Sequence, residues 1–261
     1  MDFVKNNKKS PETRRGGVED LVVASNPKSS FSEAVKSVKT NILFSSVDKD
    51  LKTILVTSPE SGDGKSFLVA NLATAFAQDG KKVLIIDGDM RKGRQHEIFG
   101  ITNDPALGYS NYILKFKEEN STDASSMMSF IQPEMYIKET KVPGVYLLPA
   151  GPTPPNPLEL ISSENNSKLL DNFKKEYDII LIDCPPALGL SDALVMSKYS
   201  DVNIVTISNA KTKIDQLESV KRSFEKVNSK ISGVVINKAK TKGGSYSSYY
   251  ADEYYSKLNN D

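Results

Sequence analysis

Short apolar blocks alternate along this chain with stretches in which apolar positions recur every three or four residues. Thr53 to Thr57 (TILVT), Val83 to Ile86, Asp178 to Asp183, Val202 to Ser208 and Ile231 to Asn237 are strand-like, and a weaker strand is expected near Val145 to Leu148. Val83 to Ile86 is apolar at every position, so both faces need cover, as in a parallel strand between helical layers. Ala34, Val38, Ile42 and Leu43 predict a helix from about Ser32 to Ser45, with Ser30 and Glu33 at capping-box spacing. Leu68, Leu72, Ala75 and Phe76 predict a second helix ending at Gly80. Ile214, Leu217, Val220, Phe224 and Val227 turn inward on a third, over Lys213 to Asn228. Another helix is expected around Tyr109 to Lys117. Strands alternating with amphipathic helices predict an α/β fold with a doubly wound, mostly parallel sheet.

The pattern stops at both ends. Residues 1–24 are polar and read as a flexible arm, 25–240 as one domain, and 241–261 as a flexible tail. The tail holds Tyr246, Tyr249, Tyr250, Tyr254 and Tyr255, five of the chain's eleven tyrosines. Composition narrows the function classes. With 261 residues and one cysteine, Cys184, an internal disulfide and a Cys-rich metal site are excluded. A net charge of +1, from 34 Lys plus Arg against 33 Asp plus Glu, argues against a nucleic-acid partner. No stretch approaches the roughly 18 apolar residues of a membrane span. The N-terminus lacks the apolar core of a secretory signal, so a cytoplasmic location is expected.

Three motifs carry chemistry. Ser61-Gly62-Asp63-Gly64-Lys65-Ser66, followed by Phe67, lies between a predicted strand and a predicted helix. Glycines let backbone N–H groups close around phosphate oxygens, and a helix N-terminus adds its positive dipole end. Lys65 suits the β and γ phosphates, and the Ser66 hydroxyl suits Mg²⁺. The first glycine of the usual pattern is replaced by Pro59. The second motif, Asp87-Gly88-Asp89-Met90-Arg91, follows the second strand; the third, Asp183-Cys184-Pro185-Pro186, ends a later one. Open α/β sheets bind ligands at such strand ends. Three aspartates would repel a triphosphate unless a cation intervened, so Mg²⁺ is expected, with Asp183 as a metal holder. Asp87 and Asp89 are left to orient a hydroxyl or to hold the metal. Asn237, ending the last strand, is either an adenine contact or an ordinary strand terminus.

Together these motifs resemble the bacterial tyrosine kinases of capsule and exopolysaccharide systems, a P-loop NTPase-like group with Walker A, A′ and B motifs. Gly151 to Leu160 (GPTPPNPLEL) resembles a segment of that family, and the terminal tyrosine cluster is its other mark. The resemblance implies a tyrosine-protein kinase that uses ATP and Mg²⁺ and autophosphorylates its tail in trans. It implies Lys65, Asp87, Asp89 and Arg91 as catalytic residues, with Asp87 accepting the acceptor's proton. Ser61 to Phe67 and Asn237 would bind nucleotide; Ser66, Asp89 and Asp183 would hold metal. Glu33, Lys36 and Lys39 match the family's E-x-x-R-x-x-R assembly helix with both arginines replaced by lysine, which lacks the bidentate fork. A homo-oligomer, a ring in that family, a membrane adaptor that recruits the chain to the inner membrane face, and a cognate tyrosine phosphatase are the implied partners. Two other readings compete: a dimerising ATPase switch of the partitioning or septum type, and a non-catalytic nucleotide-sensing scaffold. Glu60 stands where the switch proteins carry a second lysine, which speaks against the first.

Overall fold

The computed structural model describes residues 21–45, 50–119, 133–209 and 211–239. The five tail tyrosines and residues 1–20 of the arm lie outside them. In chain order the elements are α1 (Val22–Ser25), α2 (Ser30–Phe44), β1 (Thr53–Thr57), α3 (Lys65–Gln78), β2 (Val83–Asp87), α4 (Gln95–Phe99), α5 (Tyr109–Glu119), α6 (Pro133–Tyr136), β3 (Lys138–Glu139) and β4 (Val145–Leu148). They continue with α7 (Pro157–Ile161), α8 (Glu164–Glu176), β5 (Ile179–Asp183), α9 (Asp192–Met196), β6 (Val202–Ser208), α10 (Ile214–Lys226) and β7 (Gly233–Asn237).

The strands form one sheet in the order β3-β4-β2-β5-β1-β6-β7. Every pairing is parallel except the short edge pairing of β3 with β4. Alternate residues feed two cores. Ile54, Val56, Val83, Ile85, Ile179 and Leu181 point to the side covered by α2 and α3. Leu55, Leu84, Ile86, Ile180 and Ile182 point to the side where Ile113, Leu170 and Phe224 stand on α5, α8 and α10. Burial on both faces accounts for the continuous apolar runs and bears out the doubly wound sheet.

Four sequence expectations need correction. Residues 21–24, assigned to the arm, are ordered: Leu21 and Val23 are buried, and the Val23 N–H donates to Asn71 Oδ1 at 3.0 Å. The buried residues of α2 are Ser32, Val35, Lys39 and Ile42, so its inner face is rotated from the one the apolar spacing indicated. Its N-cap is Ser29, whose hydroxyl accepts from the Ser32 N–H at 3.1 Å, rather than Ser30. Ile214, read as inward-facing, starts α10 and is 78% exposed.

Register sets the site. Asp87 on β2 pairs with Asp183 on β5, and Asp183 with Val56 on β1. The ends of three neighbouring central strands therefore deliver all three motifs to one edge of the sheet.

Candidate functional site

The glycine loop leaves β1 and enters α3 through two left-handed residues, Gly62 (φ 86°) and Gly64 (φ 97°). At Gly64 the need for glycine is double. The backbone is in a region L side chains avoid, and a Cβ would stand 1.8 Å from Asn237 Nδ2. Inside the loop the Glu60 N–H donates to Asp63 Oδ2 at 3.0 Å. From outside, Asn237 Nδ2 donates to the Asp63 carbonyl at 3.0 Å, Lys238 Nζ to the Gly62 carbonyl at 2.7 Å and Lys211 Nζ to the Ser61 carbonyl at 3.2 Å. With its outward carbonyls taken by donors, the loop keeps its shape.

Lys65, the first residue of α3, is buried, and its ammonium lies 3.2 Å from Asp89 Oδ2, 3.3 Å from Asp183 Oδ1 and 3.4 Å from Ser66 Oγ. Burial opposes its charge, but Asp183, Asp89 and Asp87 outweigh that and hold its pKa above the usual lysine value. Each carboxylate is differently placed. Asp183 gives Oδ1 to Lys65 and takes Gln95 Nε2 on Oδ2 at 2.8 Å. Asp89 gives Oδ2 to Lys65, while its Oδ1 accepts from the N–H groups of Arg91 at 3.3 Å and Lys92 at 2.9 Å. Asp87 accepts the Gln95 N–H on Oδ2 at 3.0 Å, and its buried Oδ1 has no hydrogen-bond partner among the described residues. Burial and the neighbouring Asp183 charge raise its pKa well above the ordinary 3.8, against the opposing Gln95 N–H and Lys65.

Ser66 Oγ, Asp89 Oδ2 and Asp183 Oδ1 converge on one point, where the Lys65 ammonium sits. Oxygens converging on a cation fit Mg²⁺, which uses one or two carboxylates and completes its shell with water and phosphate. Among the described residues no group of three His, Cys, Asp or Glu side chains is arranged to hold a metal. A hydroxyl and two carboxylates suit an ion that arrives with its nucleotide better than a resident one.

A cleft of about 490 Å³ opens beside the loop, walled by Glu60, Ser61, Asp89, Arg91, Lys92 and Pro186 among others. Arg91 reaches across to Asp192, 3.5 Å away. Phe67 packs its ring on Phe31 at 5.1 Å between centroids, an aromatic contact with α2. Asn237 braces the loop, a third role beside the two considered from sequence.

The assembly residues divide. Glu33 and Lys36 pair with each other at 2.8 Å on the outer side of α2. Lys39, expected at an interface, is buried instead: its ammonium donates to the Ala75 carbonyl on α3 and to Asp79, which caps that helix. Sequence reasoning also missed Gln95, Lys211 and Lys238. The two lysines follow β6 and β7 at the same edge of the sheet as the loop, a position readable from the strand pattern; Gln95, in a polar stretch, carried no signal.

Residues 51–237 match the family model described as AAA domain. The tyrosine-protein kinase YwqD of Bacillus subtilis is 35% identical over 88% of this chain and 91% of its own length. Among solved structures, the chimerical protein CapA2B2 superposes with a TM-score of 0.76 at 34% identity, over 87% of this chain and 92% of that one. The kinase domain of the Escherichia coli tyrosine kinase ETK superposes at 0.72 with 25% identity, over 86% of this chain and 84% of that one.

Proposed function

This chain belongs to the bacterial tyrosine-protein kinases, and from that premise we propose that it phosphorylates the tyrosines of its own C-terminal tail in trans. The observation that carries this is Lys65, held at the head of a glycine loop between the carboxylates of Asp89 and Asp183. Arriving phosphates offer that ammonium stronger partners. Gly62 and Gly64 let the loop's N–H groups turn to the same anion, and α3 adds its dipole. Ser66, Asp89 and Asp183 would hold Mg²⁺. That ion neutralises charge on the transferring phosphoryl group.

The acceptor hydroxyl enters the cleft between the loop and Arg91. Its proton, from a group with pKa near 10, needs a carboxylate with a spare oxygen. Both oxygens of Asp183 and Asp89 are engaged, whereas Asp87 has one unpartnered and a raised proton affinity. We therefore assign Asp87 as proton acceptor. It is fully buried, while Asp89 lines the cleft, so in this reading the acceptor hydroxyl reaches past Asp89 to hand its proton to Asp87 Oδ1. Arg91 adds positive charge at the cleft rim.

The tail from Lys242 to Asp261 spans at most ~70 Å extended, and ~25 Å on average if flexible. In this reading that reach carries the tail to a neighbour's cleft. Five phosphotyrosines add roughly −8 to −10 charges, enough to loosen an assembly of like chains. Among the described residues no helix is long and apolar enough to cross a membrane. In this reading a membrane adaptor brings the chain to the inner membrane face, a tyrosine phosphatase resets it, and capsule or exopolysaccharide synthesis is the process served. The test is incubation with Mg-ATP, with and without an adaptor cytoplasmic segment, followed by phosphotyrosine blotting. Wild type is expected to label and Lys65→Met to stay blank; equal label in both would overturn the assignment.

A further inference from the structure

Gln95 opens α4 and is fully buried. A glutamine at such depth, in a stretch that reads Arg91-Lys92-Gly93-Arg94-Gln95-His96-Glu97, is not there for apolar packing. Its hydrogen bonds reach all three motifs. The backbone N–H holds Asp87 Oδ2 at 3.0 Å. Side-chain Nε2 donates to Asp183 Oδ2 at 2.8 Å and to the Ser66 carbonyl at 3.0 Å. A carboxamide nitrogen has two hydrogens, so both are spent, one on each side of the point where Ser66 Oγ and Asp183 Oδ1 converge.

We infer that Gln95 is a positioning residue for the metal: it decides which oxygen of Asp183 faces the cation and holds that carboxylate at a fixed distance from Ser66. The inference rests on the assignment of Ser66 and Asp183 as metal holders. The reasoning is geometric. Asp183 ends a strand and its carboxylate is free to rotate about the last side-chain bond. The bond from Gln95 pins Oδ2 and leaves Oδ1 aimed at the cation position that Lys65 occupies. Anchoring the same amide on the Ser66 carbonyl couples the start of α3 to the end of β5, so the two donors move as one. Groups that orient metal-holding carboxylates in this way typically contribute 10- to 100-fold to metal affinity. Gln95 itself does not line the cleft beside the loop.

The test uses the full chain and a fluorescent ADP analogue, with affinity measured in excess Mg²⁺ and again in EDTA. The ratio of the two is the metal's contribution. In Gln95→Met, which keeps length but removes both donated bonds, the EDTA affinity is expected within twofold of wild type while the Mg²⁺ ratio falls about tenfold. Gln95→Asn keeps the amide but is one methylene short of spanning both acceptors, and its ratio is expected to fall as well; it serves if the methionine variant does not fold. A ratio within twofold of wild type in a folded variant overturns the inference. So does a parallel loss in Mg²⁺ and in EDTA, the mark of a merely structural role. If wild type itself shows no Mg²⁺ enhancement, the assignment of the metal site fails, and that result is separable from failure of Gln95.

Discussion

Asp87 carries the sharpest consequence of burial. Its carboxyl has a pKa above 3.8 because burial and Asp183 disfavour the charged form. As pH rises past 3.8 the unfolded chain ionises there and the folded chain resists, so this group's stabilising contribution is full below that value and is lost up to the raised one. Asp87→Asn keeps an acceptor for the Gln95 N–H and abolishes the charge. It is expected to raise Tm by ~2–6 °C at pH 7.5, with the gain vanishing near pH 4, while kinase activity drops about 10²-fold or more. Thermal unfolding at the two pH values checks this; a lower Tm at pH 7.5 would show that the carboxylate is not held at a cost. Gly64→Ala tests the loop in the same way. Its Cβ would meet Asn237 Nδ2 at 1.8 Å on a φ of +97°, so nucleotide affinity is expected to fall at least ~10-fold by titration with labelled ADP.

The two faces of α2 differ in what they contribute to stability. Lys39 is tied to α3 through the Ala75 carbonyl and Asp79, so Lys39→Ala is expected to lower Tm by about 2–4 °C, near 1 kcal/mol. Lys36→Ala, on the half-exposed outer side, is expected within ~0.5 kcal/mol of wild type. What the chain made legible follows from the same physics. The strands β1, β2 and β5 were readable because both faces are covered and their runs are mostly apolar, whereas the edge strand β7 was readable from its β-branched run although Val234 and Ile236 are exposed. α8 was not: its sequence is mostly polar, and its inward stripe, Leu169, Leu170 and Phe173, is joined by Asn166, which accepts from the buried Tyr109 hydroxyl. The inner face of α2 was misread because Lys39 and Ser32 are inside, each held by hydrogen bonds that hydrophobicity does not register. The three motifs were legible as strings, and their meeting follows from the alternation of strands and helices. Lys211 and Lys238 could be placed at the loop's edge of the sheet from the strand pattern, but the hydrogen bonds of all three, Gln95 included, run across long sequence separations that no local pattern encodes.

Taken whole, the molecule is a sheet whose central strand ends gather one lysine and three aspartates, with a tyrosine-rich tail beginning shortly after the last strand. In the proposed function, the fold sets where phosphoryl transfer occurs, and tail length and copy number set what is modified. Two chains separate these roles. Lys65→Met has an intact tail and a disabled site. The variant with Tyr246, Tyr249, Tyr250, Tyr254 and Tyr255 all changed to Phe has an intact site and no acceptors. Mixed with Mg-ATP and adaptor segment, then resolved by a size tag and blotted for phosphotyrosine, they report directly on transfer between copies. The expected result is label on the Lys65→Met chain alone, absent when either protein is incubated singly. Label on the five-Phe chain, or none in a mixture prepared beside self-labelling wild type, would contradict phosphorylation of one chain's tail by its neighbour's site.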